Sequence, residues 1–276
     1  MESRIERAVR LMERHIGEDI RIDSLAAEVG LSLHHFHRLF VSETGEAPAA
    51  FLRRIRMDEA AFRLKWANET AGELAHALGF RSRPAFIRAF ERRFGIPPTQ
   101  YRKSYRDTAV AKGTLNGIPV SLREQDSLRL LVRRYVGDVF RIRDYWTDFI
   151  SHLPAAVTAG SGRLYIGQLH DDFRVTDPDK VRYDCGITLS GRHMDLDGDL
   201  HSQGLQIVDT AAGCYASIQH QGHHMEIPAT YDLLCNGWII PSGRTPAATP
   251  ALELHAVPRH LQSPDALDFT IMVPVE

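Results

Sequence analysis

The sequence predicts a two-domain protein: an all-α N-terminal domain with two helix-turn-helix units, followed by an α+β domain built from two β-α-β-β repeats. Three observations lead to this prediction. The first hundred residues contain a repeat at an offset of 49 to 50 residues, the second half contains a fainter repeat at an offset of 85, and the net charge changes sign between the two halves.

The N-terminal repeat is carried by apolar and turn residues. Its matched positions are Leu25 and Leu74, Ala26 and Ala75, Gly30 and Gly79, Phe36 and Phe86, Arg38 and Arg88, Phe40 and Phe90, Gly45 and Gly95, and Pro48 and Pro98. In each copy a short helix ends at a glycine, and a second helix begins after Ser32 or Ser82, whose hydroxyl can accept a hydrogen bond from the first helical turn. Each copy therefore predicts a helix-turn-helix.

Further helices surround the two units. Apolar residues recur at helical spacing over 2–15, which predicts a helix that covers the first unit, and a long helix over 49–67 joins the copies. Gly95-Ile96-Pro97-Pro98 ends the second unit, since proline cannot continue a helix. We expect the N-terminal domain at residues 1–108, a polar linker at 109–117 and the second domain at 118–276.

The charge differs between the two domains. Residues 1–108 hold 19 Lys and Arg against 15 Asp and Glu, and residues 109–276 hold 14 against 20, so the net charges are +4 and −6. A basic module is suited to phosphate binding, whereas DNA would repel the acidic half.

Composition excludes several classes of protein. No apolar run approaches the roughly 20 residues that span a bilayer, and the N-terminus lacks the apolar stretch of a signal peptide, so we expect a cytoplasmic protein without a membrane partner. The three cysteines, Cys185, Cys214 and Cys235, form an odd, scattered set, which favours free thiols over disulfides. We expect no cofactor.

The N-terminal half resembles the AraC/XylS family of transcription regulators over residues 3–106. The resemblance is carried by the stretches LAAEVGLSLHHFHRLFVSETG and ELAHALGFRSRPAFIRAFERRFGIPPTQYR, with a Gly-Phe turn and a closing Phe-Gly-x-x-Pro-x-x-Tyr-Arg. It implies a seven-helix domain whose two recognition helices enter successive major grooves of double-stranded DNA, about 34 Å apart. A regulator of this kind also implies RNA polymerase as a partner.

In the first recognition helix, Phe36, Leu39 and Phe40 are assigned to the core. The remaining positions are candidates for DNA contact: His34, His37 and Arg38 toward the groove, and Ser32 and His35 near the DNA backbone. Arginine can bond both acceptors on a guanine edge, and histidine can donate to one of them. A metal site formed by the three histidines is disfavoured, because no cysteine or carboxylate completes it at ligand spacing.

In the second recognition helix, Phe86 and Phe90 are the core residues. The candidates for DNA contact are Arg81, Arg83, Ile87, Arg88 and Arg92, with Arg81 and Arg83 also able to bind phosphate. Arginine occupies the same motif position in both copies, at Arg38 and Arg88, which favours DNA contact over a solvated surface charge.

The second half contains the repeat at an offset of 85. It pairs Gly137 with Gly222, Ile142 with Ile227, Gln168 with Glu253, Leu169 with Leu254, and His170 with His255. Each unit is predicted to contain a strand, a glycine turn, a helix and two strands. The first strands lie near 128–135 and 215–220, and the closing strands near 183–189 and 269–275.

This half resembles the GyrI-like small-molecule-binding domain. The resemblance rests on Arg182-Tyr183-Asp184, His220-x-Gly222, Trp238-x-x-Pro241-Ser242-Gly243, Glu253-x-His255 and Ile271-Met272-Val273-Pro274. It implies two repeats related by a pseudo-two-fold axis in an antiparallel sheet with helices on one side. It also implies a cleft whose central acid, Glu253, selects cationic or aromatic lipophilic effectors.

The candidate ligand contacts are this acid and the aromatic residues expected near it. They are Glu253, His255, Trp238, Tyr183 and Tyr231, with Trp146 and Phe149 as outer candidates. Aromatic faces can bind a cation or stack on a ring. A carboxylate in an apolar cleft loses hydration, so we expect a cationic ligand to restore charge pairing and neutralisation of Glu253 to leave the folded fraction unchanged.

Three functions remain open. The first, which we favour, is a one-component transcription regulator with a DNA-binding domain and an effector domain, which requires no enzyme chemistry. The second is a hydrolase or a sequestering binder of toxic small molecules, in which Glu253 would act with Tyr183 or His255 as an acid-base pair. The third is an architectural DNA binder with a vestigial second domain, which would require the cleft to be filled by side chains.

Overall fold

A computed structural model describes residues 1–66, 69–111, 119–154, 157, 163–189, 200 and 203–276. The chain divides into two compact units, Met1–Ala111 and Lys112–Glu276. Among the described residues, no helix is both long enough and apolar enough to span a membrane.

The N-terminal unit is all-α. Its helices are α1 (Ser3–Arg14), α2 (Ile22–Glu28), α3 (Leu33–Thr44), α4 (Pro48–Trp66), α5 (Ala71–Ala77), α6 (Arg83–Phe94) and α7 (Pro98–Ala111). Helix α7 reaches Ala111, so the first three residues of the expected linker are helical rather than extended, and residues 112–117 lie outside the described residues.

The two helix-turn-helix units are α2–α3 and α5–α6, and matching caps set their boundaries. Ser32 accepts a hydrogen bond from the His35 N–H, and Ser82 accepts one from the Ala85 N–H. Gly45 and Gly95 end the recognition helices at φ +74° and +75°, a left-handed conformation that glycine adopts without a Cβ clash. The repeat in sequence is thus a repeat in local structure.

Buried aromatic residues hold each unit together. Phe40 of α3 packs edge-on against Phe51 of α4, and Phe36 packs against Phe40 in a tilted arrangement; all three are fully buried. Phe86 and Phe90 occupy the same places in the second unit. Because these rings face the core, the opposite side of each recognition helix faces solvent.

The C-terminal unit contains one antiparallel sheet of eight described strands and two α-helices. Its elements are β1 (Ser121–Gln125), β2 (Arg129–Gly137), α8 (Ile142–Ser151), β3 (Tyr165–Leu169), β4 (Val181–Thr188), β5 (Gln206–Asp209), β6 (Gly213–Gly222), α9 (Ile227–Leu234), β7 (Ala251–His255) and β8 (Leu267–Pro274). The strand order is β1-β6-β8-β7-β3-β4-β2-β5.

The repeat is confirmed for its first strand and helix, and it contains an additional strand. Gly137 and Gly222 end β2 and β6, and α8 and α9 begin at Ile142 and Ile227, so the offset of 85 holds there. Strands β1 and β5 precede these elements at the same offset, although the sequence did not predict them. Each of these two strands pairs with a strand of the other repeat: β1 of the first repeat pairs with β6 of the second, and β5 of the second repeat pairs with β2 of the first.

The offset is wrong for the later strands. Strands β3 and β4 correspond to β7 and β8 at an offset of 86. A shift of one residue moves a side chain to the other face of a sheet. Gln168 and His170 therefore lie on the face opposite Glu253 and His255, and Gly167 is the residue that pairs with Glu253 across the strands.

The helices pack on the face of the sheet that carries Glu253. Cross-strand pairing places Cys185, Gly167, Glu253, Ile271 and Ile218 in one row across five strands. Helix α8 packs against the β4 end of this face, and α9 packs against the β6 and β8 end. Glu253 lies between these two apolar clusters, at the centre of the sheet.

Candidate functional site

The outer surfaces of α3 and α6 carry the residues expected to contact DNA. In and before α3 these are Ser32, His34, His35, His37 and Arg38, all of them exposed. In and before α6, Arg81, Arg83, Arg88 and Arg92 are exposed and Ile87 is half-buried. The structure thus gives both recognition helices a polar outer face, and Ile87 lies at its edge.

The arginines on this surface differ from the other arginines of the same unit. In the described part of the chain, Arg38, Arg81, Arg83, Arg88 and Arg92 make no ion pair. By contrast, each of three further arginines contacts a carboxylate: Arg54 pairs with Glu46 and Asp58, Arg63 with Glu69, and Arg93 with Asp58 at 3.6 Å. The guanidinium groups on the recognition helices are therefore free to bind phosphates or base edges.

Across the residues that the structure describes, no group of three or more His, Cys, Asp and Glu side chains is arranged to hold a metal ion.

The C-terminal unit contains a cavity of about 360 Å³ between the starts of the two helices and the sheet. Its wall is mostly apolar and includes Ile142, Leu169, Phe173, Ile227 and Leu267. Polar groups converge at Glu253, Tyr231, Arg259 and Gln262. An apolar wall with a few polar groups is the usual composition of a small-molecule site.

Glu253 is 2% exposed and has three partners. The Tyr183 hydroxyl donates to Oε2 at 2.7 Å, Arg259 Nη1 donates to Oε2 at 3.2 Å, and the Tyr231 hydroxyl donates to Oε1 at 3.4 Å. His255 Nε2 lies 3.7 Å from Oε2, which is beyond hydrogen-bond distance. Both carboxylate oxygens therefore have donors within the protein.

This environment keeps Glu253 ionised. Burial raises the pKa of the carboxyl group, but the adjoining His255 side chain, the Arg259 charge and the Tyr183 hydroxyl lower it, and the resulting pKa is about 2. Burial raises the pKa of both Tyr183 and Tyr231 well above the usual value, so both phenols remain donors. Burial also lowers the pKa of His255, which leaves that ring neutral at neutral pH.

Of the seven expected ligand residues, Glu253 and Tyr231 line the cavity. Tyr183 and His255 lie behind the wall and contact Glu253. Trp146 and Phe149 are fully buried against β4, where the Trp146 indole N–H donates to the Tyr183 hydroxyl at 3.4 Å. Trp238 is half-buried against the cluster beneath α9.

Two residues of the site were not anticipated. Arg259 is 8% exposed, and it supplies the positive charge that we expected from a ligand. Gly167 pairs with Glu253 across the strands, and a Cβ at this position would overlap the Tyr183 hydroxyl. Arg259 follows Pro258 at the start of a 3-10 turn, and no periodic pattern links it to Glu253.

Because Arg259 pairs with Glu253 within the protein, the structure leads to a different expectation for neutralisation of the acid. Removing the charge of Glu253 would leave the buried guanidinium without its partner, so we expect the fold to be destabilised rather than unchanged.

Comparison with known proteins gives a match for each unit. A family model described as a helix-turn-helix domain matches residues 25–104, and a model of the GyrI-like small-molecule-binding domain matches residues 119–276. The second match covers more than half of the chain.

Two curated relatives match part of the chain. The HTH-type transcriptional regulator Rv1931c of Mycobacterium tuberculosis is 40% identical over 85 residues, which are 31% of this chain and 33% of that protein. The transcriptional regulator Rob of Salmonella typhimurium is 26% identical over 159 residues, 52% of this chain and 55% of that protein. The chain thus spans about a third to about half of the length of these curated relatives.

One solved structure matches a share of this chain similar to the share that Rv1931c matches. The DNA-binding domain of AdpA in complex with a target DNA is 33% identical, with a TM-score of 0.37, and the match covers 38% of this chain and 94% of that one.

Proposed function

We propose that this chain, which belongs to the GyrI-like small-molecule-binding family and carries an AraC-type double helix-turn-helix domain, is a sequence-specific transcription regulator that responds to a small effector. The observation that carries the proposal is the pair of equivalent helices, α3 and α6, whose exposed arginines have no ion-pair partner among the described residues. Free guanidinium groups on two recognition helices are suited to base edges and phosphates.

In this proposal the two helices read successive major grooves of double-stranded DNA, with Arg38 and Arg88 contacting base edges. Arg81 and Arg83 contact phosphates, which fix the position of the protein without reading sequence. His34, His37, Ile87 and Arg92 complete the surface that faces the grooves, and Ser32 and His35 lie near the DNA backbone. RNA polymerase is the partner through which bound protein alters transcription.

The effector in this proposal is a small lipophilic or aromatic compound. The apolar cavity wall supports this class, because burial of an apolar ligand there gains about 25 cal/mol for each Å² removed from water. The resemblance also implies cationic effectors, but the electrostatic reason for a cation, a carboxylate without a counter-ion, does not apply because Arg259 pairs with Glu253.

The hydrolase alternative has one observation in its favour, the hydrogen bond of 2.7 Å between Tyr183 and Glu253. A carboxylate with a pKa of about 2 is a weak general base, since efficient bases have pKa values near the working pH. Tyr183 also lies behind the cavity wall rather than in it. We therefore favour effector binding.

Selection of random DNA duplexes by the full chain tests the DNA-binding part of the proposal. We expect an enriched sequence and, in footprints of the selected duplex, two protected major-groove patches about 10 base pairs apart. Recovery of unenriched DNA would contradict sequence-specific binding, and a single patch would mean that only one unit docks.

A further inference from the structure

Positively charged side chains outnumber negatively charged ones in the described lining of the cavity. In the described part of its wall, Arg143 and Arg259 are positive and Glu253 is negative, with His224 as a further titratable residue. Glu253 and Arg259 form an ion pair at 3.2 Å, so their charges cancel. One positive charge, that of Arg143, remains.

Glu253 has little capacity left for a ligand cation. Its Oε2 accepts from Tyr183 and Arg259, and its Oε1 accepts from Tyr231. A ligand ammonium group that approached Glu253 would also approach the guanidinium of Arg259. The repulsion between the ligand ammonium group and the Arg259 guanidinium would oppose the attraction between the ammonium group and Glu253.

The two arginines lie on the same side of the cavity. Arg143 of α8 donates from Nη2 to the carbonyl oxygen of His260, the residue that follows Arg259. Arg143 is exposed and makes no ion pair with any described residue. Among the described residues, the Arg259 guanidinium donates a hydrogen bond from one nitrogen only, to Glu253. Each of the two guanidinium groups therefore retains N–H donors that can bind an anion.

The remainder of the cavity is suited to an apolar body. Phe140 and Met225, at equivalent positions of the two repeats, line its mouth and are 64% and 57% exposed. Leu169, Phe173 and Leu267 form deeper parts of the wall. Large apolar side chains that stay exposed beside a cavity mark a surface that an apolar partner can cover.

We propose that the cavity binds an amphipathic organic monoanion, in its simplest form a carboxylate on an aromatic or aliphatic body. The carboxylate binds at Arg143 and Arg259, and the apolar body lies between Phe140, Met225 and the deeper wall. This inference rests on the proposed effector-binding function and adds to it the charge of the ligand.

Three probes that share one apolar body test the charge preference. They are 2-naphthoate, 2-naphthamide and 2-naphthylmethylammonium, titrated into the full-length protein by calorimetry. We expect 2-naphthoate to bind about tenfold more tightly than the amide, the range for a hydrogen bond to a charged group, and the ammonium compound to bind most weakly. Tightest binding of the ammonium compound would overturn the inference and leave effector binding intact. Absence of binding by all three would count against effector binding itself.

A substitution at the cavity mouth tests the role of Arg143. Arg143→Gln removes the unbalanced charge and should weaken 2-naphthoate binding about tenfold while leaving the affinity for the amide unchanged. The matched control is Arg141→Gln, because Arg141 is exposed two residues before Arg143, pairs with Asp144 and does not line the cavity. An equal loss for both probes in Arg143→Gln, or an equal loss for 2-naphthoate in the control, would contradict the assignment.

Arg259→Gln tests the deeper positive charge. This variant leaves Glu253 without a counter-ion, so the order of affinity should reverse and the ammonium compound should bind more tightly than 2-naphthoate. A purely structural role for Arg259 would weaken all three probes together. The thermal unfolding of each variant identifies any loss of binding that is caused by unfolding.

Discussion

The candidate DNA-contact arginines of the N-terminal unit and the arginine beside Glu253 in the C-terminal unit have opposite environments. Arg38 of α3 and Arg83, Arg88 and Arg92 of α6 are exposed and make no ion pair among the described residues, whereas Arg259 is buried and joined to Glu253. Binding to a polyanion is driven by the release of counterions, which requires free cations in water. A charge beneath an apolar wall costs several kcal/mol unless a partner compensates it. The comparison teaches that burial and pairing determine which of these guanidinium groups carry a charge that the protein does not already compensate.

The largest expected effect comes from breaking the buried pair. Glu253→Gln keeps the shape of the side chain but leaves Arg259 uncompensated, so we expect a loss of about 3 to 5 kcal/mol in the free energy of unfolding of the C-terminal unit. Urea denaturation of the full chain, followed by tryptophan fluorescence, measures this loss, because Trp146 and Trp238 both lie in that unit.

The double variant Glu253→Gln with Arg259→Gln is the control for this prediction. It removes both charges, so it should be more stable than Glu253→Gln alone. If Glu253→Gln unfolds at the wild-type urea concentration, the two groups are not paired in solution.

The second prediction concerns pH and the same acid. The pKa of Glu253 falls from an ordinary value of 4.5 to about 2 in the folded protein, so the ionised carboxylate stabilises the fold above about pH 4.5. This stabilisation, on the order of 3 kcal/mol, is lost as pH falls from about 4.5 to 2, because the unfolded state binds the proton first.

Comparison with Glu253→Gln isolates this contribution. His255 and the other titrating groups are present in both proteins, so the difference in unfolding free energy between wild type and variant should shrink as pH falls through that window. A difference that stays constant from pH 6 to pH 3 would refute the lowered pKa.

The third prediction concerns the exposed arginines. Arg38→Ala and Arg88→Ala should each weaken binding to the selected duplex by about 1 to 3 kcal/mol, with a much smaller effect on random duplex. Because neither side chain pairs with a described carboxylate, the stability of the N-terminal unit should change by less than about 0.5 kcal/mol. Fluorescence anisotropy with both duplexes measures the affinities.

Arg93→Ala is the matched control on the same helix. Its guanidinium contacts Asp58 of α4, so this substitution should lower stability and leave the preference for the selected duplex unchanged. Equal losses on both duplexes for Arg88→Ala would assign that residue to phosphate contact instead of base reading.

The smallest expected effect concerns Ser32, which caps α3 and is also a candidate for DNA contact. Ser32→Ala removes the cap of α3 and should cost about 1 kcal/mol of stability, whereas Ser32→Asp keeps a capping oxygen and adds a negative charge near the DNA. We therefore expect the aspartate variant to retain its stability and to lose DNA affinity. Normal binding by that variant would place Ser32 away from the phosphates.

The N-terminal unit could be predicted in detail because its signals are local. Ser32, Gly45, Ser82 and Gly95 mark helix ends by their own backbone chemistry, and the phenylalanine spacing identifies the buried face. Each of these signals acts within a few residues along the chain.

The C-terminal site could be predicted only in part because it depends on register and on a turn. One additional residue between α9 and β7 changes the offset to 86, and at that offset β3 and β4 share no identical residue with β7 and β8. Strand β1 is almost wholly exposed and lacks the alternation of a half-buried strand. The Arg259 side chain reaches Glu253 through the fold of the β7–β8 connection, which no spacing rule encodes.

The exchange of β1 and β5 also bears on how this domain can be divided. Strand β1 belongs to the first repeat in sequence but completes the sheet beside β6, and β5 does the same beside β2. A fragment that contains the first repeat alone therefore leaves β1 without its partner β6 and leaves β2 without its neighbour β5. Two such fragments, expressed together, hold the missing strands for each other. The linked repeats thus have the connectivity of a strand-swapped dimer that has been joined into one chain.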